Sequence, residues 1–233
     1  MGWAQGKFGW GTFGSESQQF DVSDQEVLSS VQLSLLEPDT KGASFLSEFW
    51  TPSQVLDFLN NRSFRFLSET GLTVAIAYQA GQAAQSRYAL PQNLIDIRRV
   101  AWANSATSMA YIELPMADVW EMDHGLAKWP SREAPSPEVY LEDHLPSLTI
   151  AVNPIPTDAG EMELTFVSRG TIVDGSGMLL SIPNDFTPYL AWGVRADMLA
   201  QEMEAQDPIR AQHCEERFEE GIELARLLVQ GNT

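Results

Sequence analysis

Helix signals stand at both ends of this chain, and strand-like segments fill its middle. This order constrains the fold most, because helices and strands that are segregated along a chain are typical of α+β proteins. The 233 residues are 44% hydrophobic, which suits one globular unit or two closely packed lobes with a core. We therefore predict an α+β fold: a helical bundle formed by N- and C-terminal helices, with an inserted antiparallel β domain.

The expected domain organisation follows from where these signals change. Residues 1–20 form a Gly- and aromatic-rich N-terminal arm, 21–71 and 182–233 form the helical bundle, and 72–181 form the β-rich domain. Within the β-rich part, short runs of strand-forming residues are separated by Gly, Pro and Asn. The predicted strands lie near residues 72–80, 87–90, 97–103, 110–113, 139–141, 148–152 and 161–168.

Two local signals open the N-terminal helices. Ser23 and Glu26 have the spacing of a capping box, and Thr51 precedes Pro52 at a first helical position. The second helix is expected to end near Gly71, because glycine readily adopts the left-handed conformation that closes helices. Both helices carry an apolar stripe at helical spacing, which predicts that each packs against the bundle.

Two residues of the second helix disagree with its amphipathic pattern. Arg62 falls inside the apolar arc, and Phe64 falls among polar residues. A single exposed phenylalanine is ordinary on a protein surface. Phe64 is therefore either plain surface or a candidate protein interface.

The N-terminal arm combines five glycines with four large aromatic rings. Glycine loosens the backbone, whereas aromatic side chains seek burial. Such an arm either orders on a partner or lies across its own domain. The candidate interface residues in it are Trp3, Phe8, Trp10 and Phe13.

The last helix, which begins at Asp207 and Pro208, separates an apolar stripe from an acidic face. Like-charged residues four apart destabilise a helix slightly, by roughly 0.2–0.5 kcal/mol per pair. The face is either plain solvated surface or a wall that repels DNA in a channel. Its members are Glu215, Glu216, Glu219, Glu220 and Glu223.

The charge balance disfavours several kinds of partner. The formal net charge is −18, from 32 acidic and 14 basic residues. Such a chain repels nucleic acid and anionic membranes, so neither a nucleic-acid reader nor a membrane protein is expected. The single Cys214 permits no internal disulfide, which fits folding in a reducing cytoplasm. The N-terminus lacks the apolar segment of a signal peptide.

The sequence offers weak candidates for metal binding. His213, Cys214 and Glu216 are close together, but Cys214 points into the apolar stripe, away from Glu216. A metal site needs three or four convergent ligands. We expect no metal and no cofactor.

Candidates for catalysis are equally weak. Glu121, Asp123 and His124 form a cluster of a kind that arises by chance in so acidic a chain. Ser176 lies in the stretch Asp174-Gly175-Ser176-Gly177, which lacks the spacing of a nucleophile turn. We predict a hairpin turn there instead. No catalytic residue is assigned.

Several short motifs, in this order, resemble the head-to-tail adaptor proteins of tailed bacteriophages, also called connector or tail tubular proteins. The resemblance covers about residues 22–230. It rests on Trp50-Thr51-Pro52 with Leu59-Asn60, Leu90-Pro91 before Ile97-Arg98-Arg99-Val100, Asn153-Pro154-Ile155-Pro156, and Asp185-Phe186 with Pro188-Tyr189 before Asp207-Pro208.

The resemblance implies a structural virion protein without cofactors. Family members form a ring, typically of about twelve copies, that binds the portal protein, extends the DNA channel and presents a platform to tail or nozzle proteins. Double-stranded DNA would pass through without specific binding, and the protein would reside in the virion neck after synthesis in the host cytoplasm. The alternatives are another neck or tail-completion (stopper) protein and, from a different class, a hydrolase that uses two carboxylates.

Overall fold

The structure, a computed structural model, describes residues 20–35, 49–104, 110–125, 128–142, 148–202 and 204–230. The arm residues Trp3, Phe8, Trp10 and Phe13 lie outside these ranges. The α-helices found in the described residues are α1 (Asp24–Ser34), α2 (Pro52–Thr70), α3 (Val119–Gly125), α4 (Thr187–Ala200) and α5 (Pro208–Gln230).

The strands occupy the middle of the chain, as expected. In the same described ranges they are β1 (Val74–Gly81), β2 (Arg87–Ala89), β3 (Leu94–Ala103), β4 (Ile112–Leu114), β5 (Glu133–Ala134), β6 (Val139–Leu141), β7 (Thr149–Asn153), β8 (Ile155–Pro156) and β9 (Gly160–Ser168). The α+β class and the helices at both ends of the chain are thus confirmed.

The chain divides into two compact units. The helical unit combines Met1–Thr73 with Arg169–Thr233, and the β unit is Val74–Ser168. The segment 169–181, which the sequence analysis places in the β domain, groups with the helices. Hydrogen bonds explain this grouping, because the Asn60 side chain both donates to and accepts from the Val173 backbone, at 2.9 Å in each case.

The local signals at the helix ends are confirmed. Ser23 and Glu26 form a reciprocal capping box at α1, and Thr51 and Gln54 form another at α2. Gly71 closes α2 in the left-handed conformation, with φ of 63°. These contacts satisfy backbone groups that helix ends leave without partners.

The helical unit is built around α4, which packs against α1, α2 and α5. Apolar residues surround most of this helix, and its buried members include Leu190, Val194 and Met198. The packing against α5 is close: a Cβ placed on Gly221 would lie 2.4 Å from Cγ of Tyr189. A glycine is therefore required at this contact between the two helices.

The loop around Asp174 corrects one expectation. We predicted a hairpin turn, but the residues on either side of this loop do not form paired strands. Instead, the buried carboxylate of Asp24 accepts hydrogen bonds from the backbone N–H groups of Gly175 at 2.8 Å and Gly177 at 3.0 Å. The tertiary contact with α1 therefore replaces the strand pairing that a hairpin needs.

The β unit contains three sheets in its described residues. The largest has the order β1-β9-β3-β4 and is antiparallel throughout, and the second, β2-β7-β6, is also antiparallel. A short parallel pair joins β5 and β8, which the sequence did not predict. The core of the two larger sheets includes Tyr88, Val100, Trp102, Ile150, Met162 and Phe166.

Candidate functional site

The acidic face predicted on α5 divides into two parts. Glu215 and Glu219 contact arginines of α2: Glu215 lies 2.6 Å from both Arg62 and Arg65, and Glu219 also bonds Arg65. These two carboxylates hold α5 against α2 and are only partly exposed. The repulsion along this side of the helix is therefore offset by cations from another helix, which the spacing of glutamates alone does not reveal.

The other three glutamates lie on the exposed side of α5. Glu216 accepts a hydrogen bond from Gln212, at 3.1 Å. Glu220 pairs with Arg217 at 2.8 Å, and Glu223 pairs with Arg226 at 2.9 Å; both are contacts within one helical turn. Exposed pairs of this kind contribute little to stability, about 0–1 kcal/mol each. This side remains a strongly polar surface.

Arg62 is the centre of a partly buried ionic cluster. Its guanidinium binds Asp197 of α4 through two contacts of 2.8 and 2.5 Å and Glu215 through a third. Its carbon atom Cζ also lies 4.9 Å from the centre of the Phe218 ring, a cation–π contact. Burial alone would lower the pKa of Arg62, but the two carboxylates outweigh this effect and raise it.

Arg65 makes the same kind of contact from the next turn of α2. Its Cζ lies 5.4 Å from the Phe218 ring centre, and it also pairs with Glu69 at 2.7 Å. Desolvation opposes the charge of Arg65, whereas hydrogen bonds to Glu215, Glu69 and Glu219 raise its pKa. The arginines of α2 therefore connect three helices of the unit.

Phe64 is exposed, as its position on the polar side of α2 predicted. Its side chain is 44% accessible, and the guanidinium carbon of Arg169 lies 5.5 Å from the ring centre. Aromatic residues and arginine are both enriched at protein interfaces. Phe64 stays a prediction as a contact residue, and Arg169, which the sequence analysis did not select, lies beside it.

The side chains of His213, Cys214 and Glu216, the weak metal ligands suggested by the sequence, do not meet at a common site. Cys214 is 4% exposed and packs in the bundle, where burial raises the pKa of its thiol. His213 is exposed and packs edge-on against Trp192, with 5.8 Å between ring centres. Within the described residues, no group of three or more potential ligands is arranged to hold a metal ion.

The weak catalytic candidates have structural partners. Asp123 accepts a hydrogen bond from the indole of Trp129 at 2.6 Å, and the His124 ring stacks on Trp120 with 4.3 Å between centres. Glu121 is exposed. A carboxylate-based hydrolase needs a pair of acids in a cleft. The shallow groove along α1 has Asp21 and Glu26 in its lining, and both are exposed.

The described features are charged and aromatic surfaces on a helical unit, and the described residues show no arrangement of ligands for a metal ion. The model of the SU10 adaptor protein family matches residues 25–232. The chain therefore belongs to this phage head-to-tail adaptor family and is a structural protein of a bacteriophage. A comparison with curated proteins found no match. None of the described helices is long and apolar enough to cross a membrane.

Proposed function

We propose that this chain forms a ring, of about twelve copies, that joins the portal to the tail and extends the DNA channel in the virion neck. The observation that carries the proposal is the family match over residues 25–232. Members of an adaptor family act by binding the proteins on either side of them. The ring, its copy number and its position on the portal are the parts that we infer.

The charge of the chain supports passage of DNA without binding. At a formal net charge of −18, the surface repels phosphates rather than neutralising them. The exposed side of α5 adds Glu216, Glu220 and Glu223 to this surface. We propose that this side borders the channel or open solvent.

A reconstitution with the portal protein of the same phage tests the ring. We expect the chain to bind the portal in a closed ring whose copies can be counted by electron microscopy or native mass spectrometry. Binding to purified tails, without binding to portals, would instead favour a tail-completion protein. Release of sugar or peptide fragments from a cell-wall preparation would favour the hydrolase.

The channel role predicts the effect of charge reversal on α5. Glu216→Lys with Glu220→Lys should leave folding nearly intact, because both side chains are exposed. The new lysines would pair with passing phosphates, so DNA ejection from assembled particles should slow. The matched control is Asp57→Lys with Asp185→Lys, which changes the charge equally at exposed positions elsewhere in the helical unit. Wild-type ejection rates for the α5 variant would remove the channel role, and unfolding would show that this side is packed.

A further inference from the structure

A small apolar and cationic surface stands out on the acidic helical unit. We define the Phe64 patch as Phe64, Arg169 and Ile172. The side chains of Phe64 and Ile172 are 44% and 57% exposed, and Arg169 is exposed beside the Phe64 ring. Aromatic residues and arginines are the side chains that most often contribute binding energy at interfaces.

The patch is held in place by the backbone beneath it. A Cβ on Gly170 would lie 2.8 Å from Leu67, and Val173 is fixed to Asn60 by two hydrogen bonds. The segment that carries Ile172 therefore runs along α2 past the turn that contains Phe64. Because close packing at Gly170 and hydrogen bonds at Val173 fix this segment, the patch is preformed and loses little entropy on binding.

Arg169 differs from the other exposed arginines of this unit. The exposed Arg210 and Arg217 and the partly buried Arg226 each have a carboxylate within 4.0 Å. Among the described residues, none of the ion pairs includes Arg169, which is also exposed and contacts the Phe64 ring. A guanidinium that lies over one ring can take a second ring on its open face.

The N-terminal arm has the chemistry that fits this patch. Residues 1–19 include Trp3, Phe8, Trp10 and Phe13, and their charged side chains are one lysine and one glutamate. The formal charge of −18 therefore belongs entirely to the rest of the chain. A segment without net charge, such as this arm, can approach an acidic neighbour without repulsion. Extended, nineteen residues reach roughly 60 Å, enough to cross to an adjacent molecule.

We propose that the arm of one copy binds the Phe64 patch of the next copy, with its aromatic rings against Phe64, Ile172 and the open face of Arg169. This inference rests on the proposed ring. The contact is heterologous, since an arm meets a different surface on its neighbour, and such contacts close into rings when the rotation allows. It links acidic copies through a neutral segment, which avoids bringing their charged surfaces together.

Cysteine cross-linking on portal-bound rings tests this contact. Trp3, Phe8, Trp10 and Phe13 are replaced by cysteine one at a time, each combined with Ile172→Cys. At least one such pair should give a ladder of covalent oligomers under oxidation. The native Cys214 is 4% exposed and should not react. Ser30→Cys replaces Ile172→Cys as the control, because Ser30 is exposed on α1 and is not a member of the patch.

Mixtures of single variants distinguish cross-links between neighbouring copies from cross-links within one copy. An arm variant mixed with Ile172→Cys should give covalently linked dimers, whereas either variant alone should show no covalent link between copies. Cross-links that form only within one chain would overturn the proposal, and so would intact rings without any cross-link at the patch. Failure to form rings at all, seen by electron microscopy, would instead overturn the proposed function on which this inference rests.

Substitutions in the patch provide a second measurement. Phe64→Ala and Arg169→Ala should each raise the concentration needed for ring formation on portals about tenfold, with little change in thermal stability. Leu33→Ala is the control, because Leu33 is a comparably exposed apolar side chain, at 57%, on α1. Equal effects of all three variants, or no effect of the first two, would contradict the proposal.

Discussion

At the scale of single residues, Arg62 explains an irregularity of the sequence. It interrupts the apolar arc of α2, yet its side chain is only 11% exposed. Removal of a charge from water is costly unless partners replace the lost hydration. Asp197 and Glu215 supply these partners from two other helices, and Phe218 covers the guanidinium. The exception to the pattern is therefore the residue that joins three helices.

Truncation of Arg62 should destabilise the helical unit strongly. Arg62→Ala leaves the partly buried Asp197 without its cation and Glu215 with Arg65 alone, a loss of up to about 3–5 kcal/mol. Arg217→Ala is the control, because the Arg217–Glu220 pair is exposed and should cost about 0–1 kcal/mol. Urea denaturation of both variants measures the difference. Equal stabilities would show that the cluster is no more important than a surface pair.

Tyr140 makes the stability of the protein depend on pH in alkaline solution. Burial, together with the charges of Glu142, Asp96 and Glu113, raises its pKa to about 12. In the unfolded chain the pKa is about 10, so between these values the folded state keeps a proton that the unfolded state loses. The free energy of unfolding should then fall by up to about 3 kcal/mol as the pH rises through this window.

Replacement of this phenol isolates its part of the pH effect. Tyr140→Phe should make the fall of unfolding free energy above pH 10 shallower, while the values below about pH 9 keep the same slope as the wild type. Denaturant titrations at several pH values provide the measurement. An unchanged alkaline slope would assign the effect to other groups.

At the scale of elements, the close contact of α4 with α5 depends on Gly221. Alanine favours helices over glycine by about 1 kcal/mol, so propensity alone predicts that Gly221→Ala stabilises α5. The added methyl group would, however, lie 2.4 Å from Tyr189, and overpacking costs about 1–3 kcal/mol. We therefore expect a lower melting temperature. Gly125→Ala, where a Cβ meets nothing within 4 Å, is the control and should be neutral or stabilising.

The elements that the sequence predicted are those with local signals. The capping pairs Ser23/Glu26 and Thr51/Gln54 lie three residues apart, and their geometry follows from short-range hydrogen bonds. Longer-range partners could not be predicted. Arg62 meets Asp197, 135 positions away, and no local pattern specifies which of many acids it binds. The two-residue strands β5 and β8 are also too short for any periodicity to indicate them.

In the candidate surfaces, too, the features set by local spacing could be predicted and those set by long-range contacts could not. The exposed position of Phe64 followed from helical spacing, because the polar side of an amphipathic helix faces solvent. Its partner Arg169 did not, because the path of the chain after β9 brings them together. Likewise, the acidic side of α5 was visible in the sequence, whereas its division between Glu215 and Glu216 depends on where α2 packs.

At the scale of the whole molecule, charge opposes the assembly that the adaptor family implies. Each copy brings a formal charge of −18 to its neighbours. At low ionic strength this repulsion acts over long distances, since the Debye length is about 30 Å at 0.01 M salt and about 10 Å at 0.1 M. Contacts between copies must overcome it, and contacts with a portal add to them. Isolated chains and portal-bound chains should therefore behave differently.

We predict that the isolated protein is monomeric or weakly associated at low salt and forms rings on the portal. Salt raised from about 0.01 M to about 0.1 M should shift the isolated chain toward larger species in light scattering, because screening weakens the repulsion between like charges. Sucrose at matched osmolarity is the control, because it leaves charge unscreened. If attraction between opposite charges held the copies together, salt would disperse them instead. A stable ring of the isolated chain at low salt would show that the contacts between copies suffice without a partner.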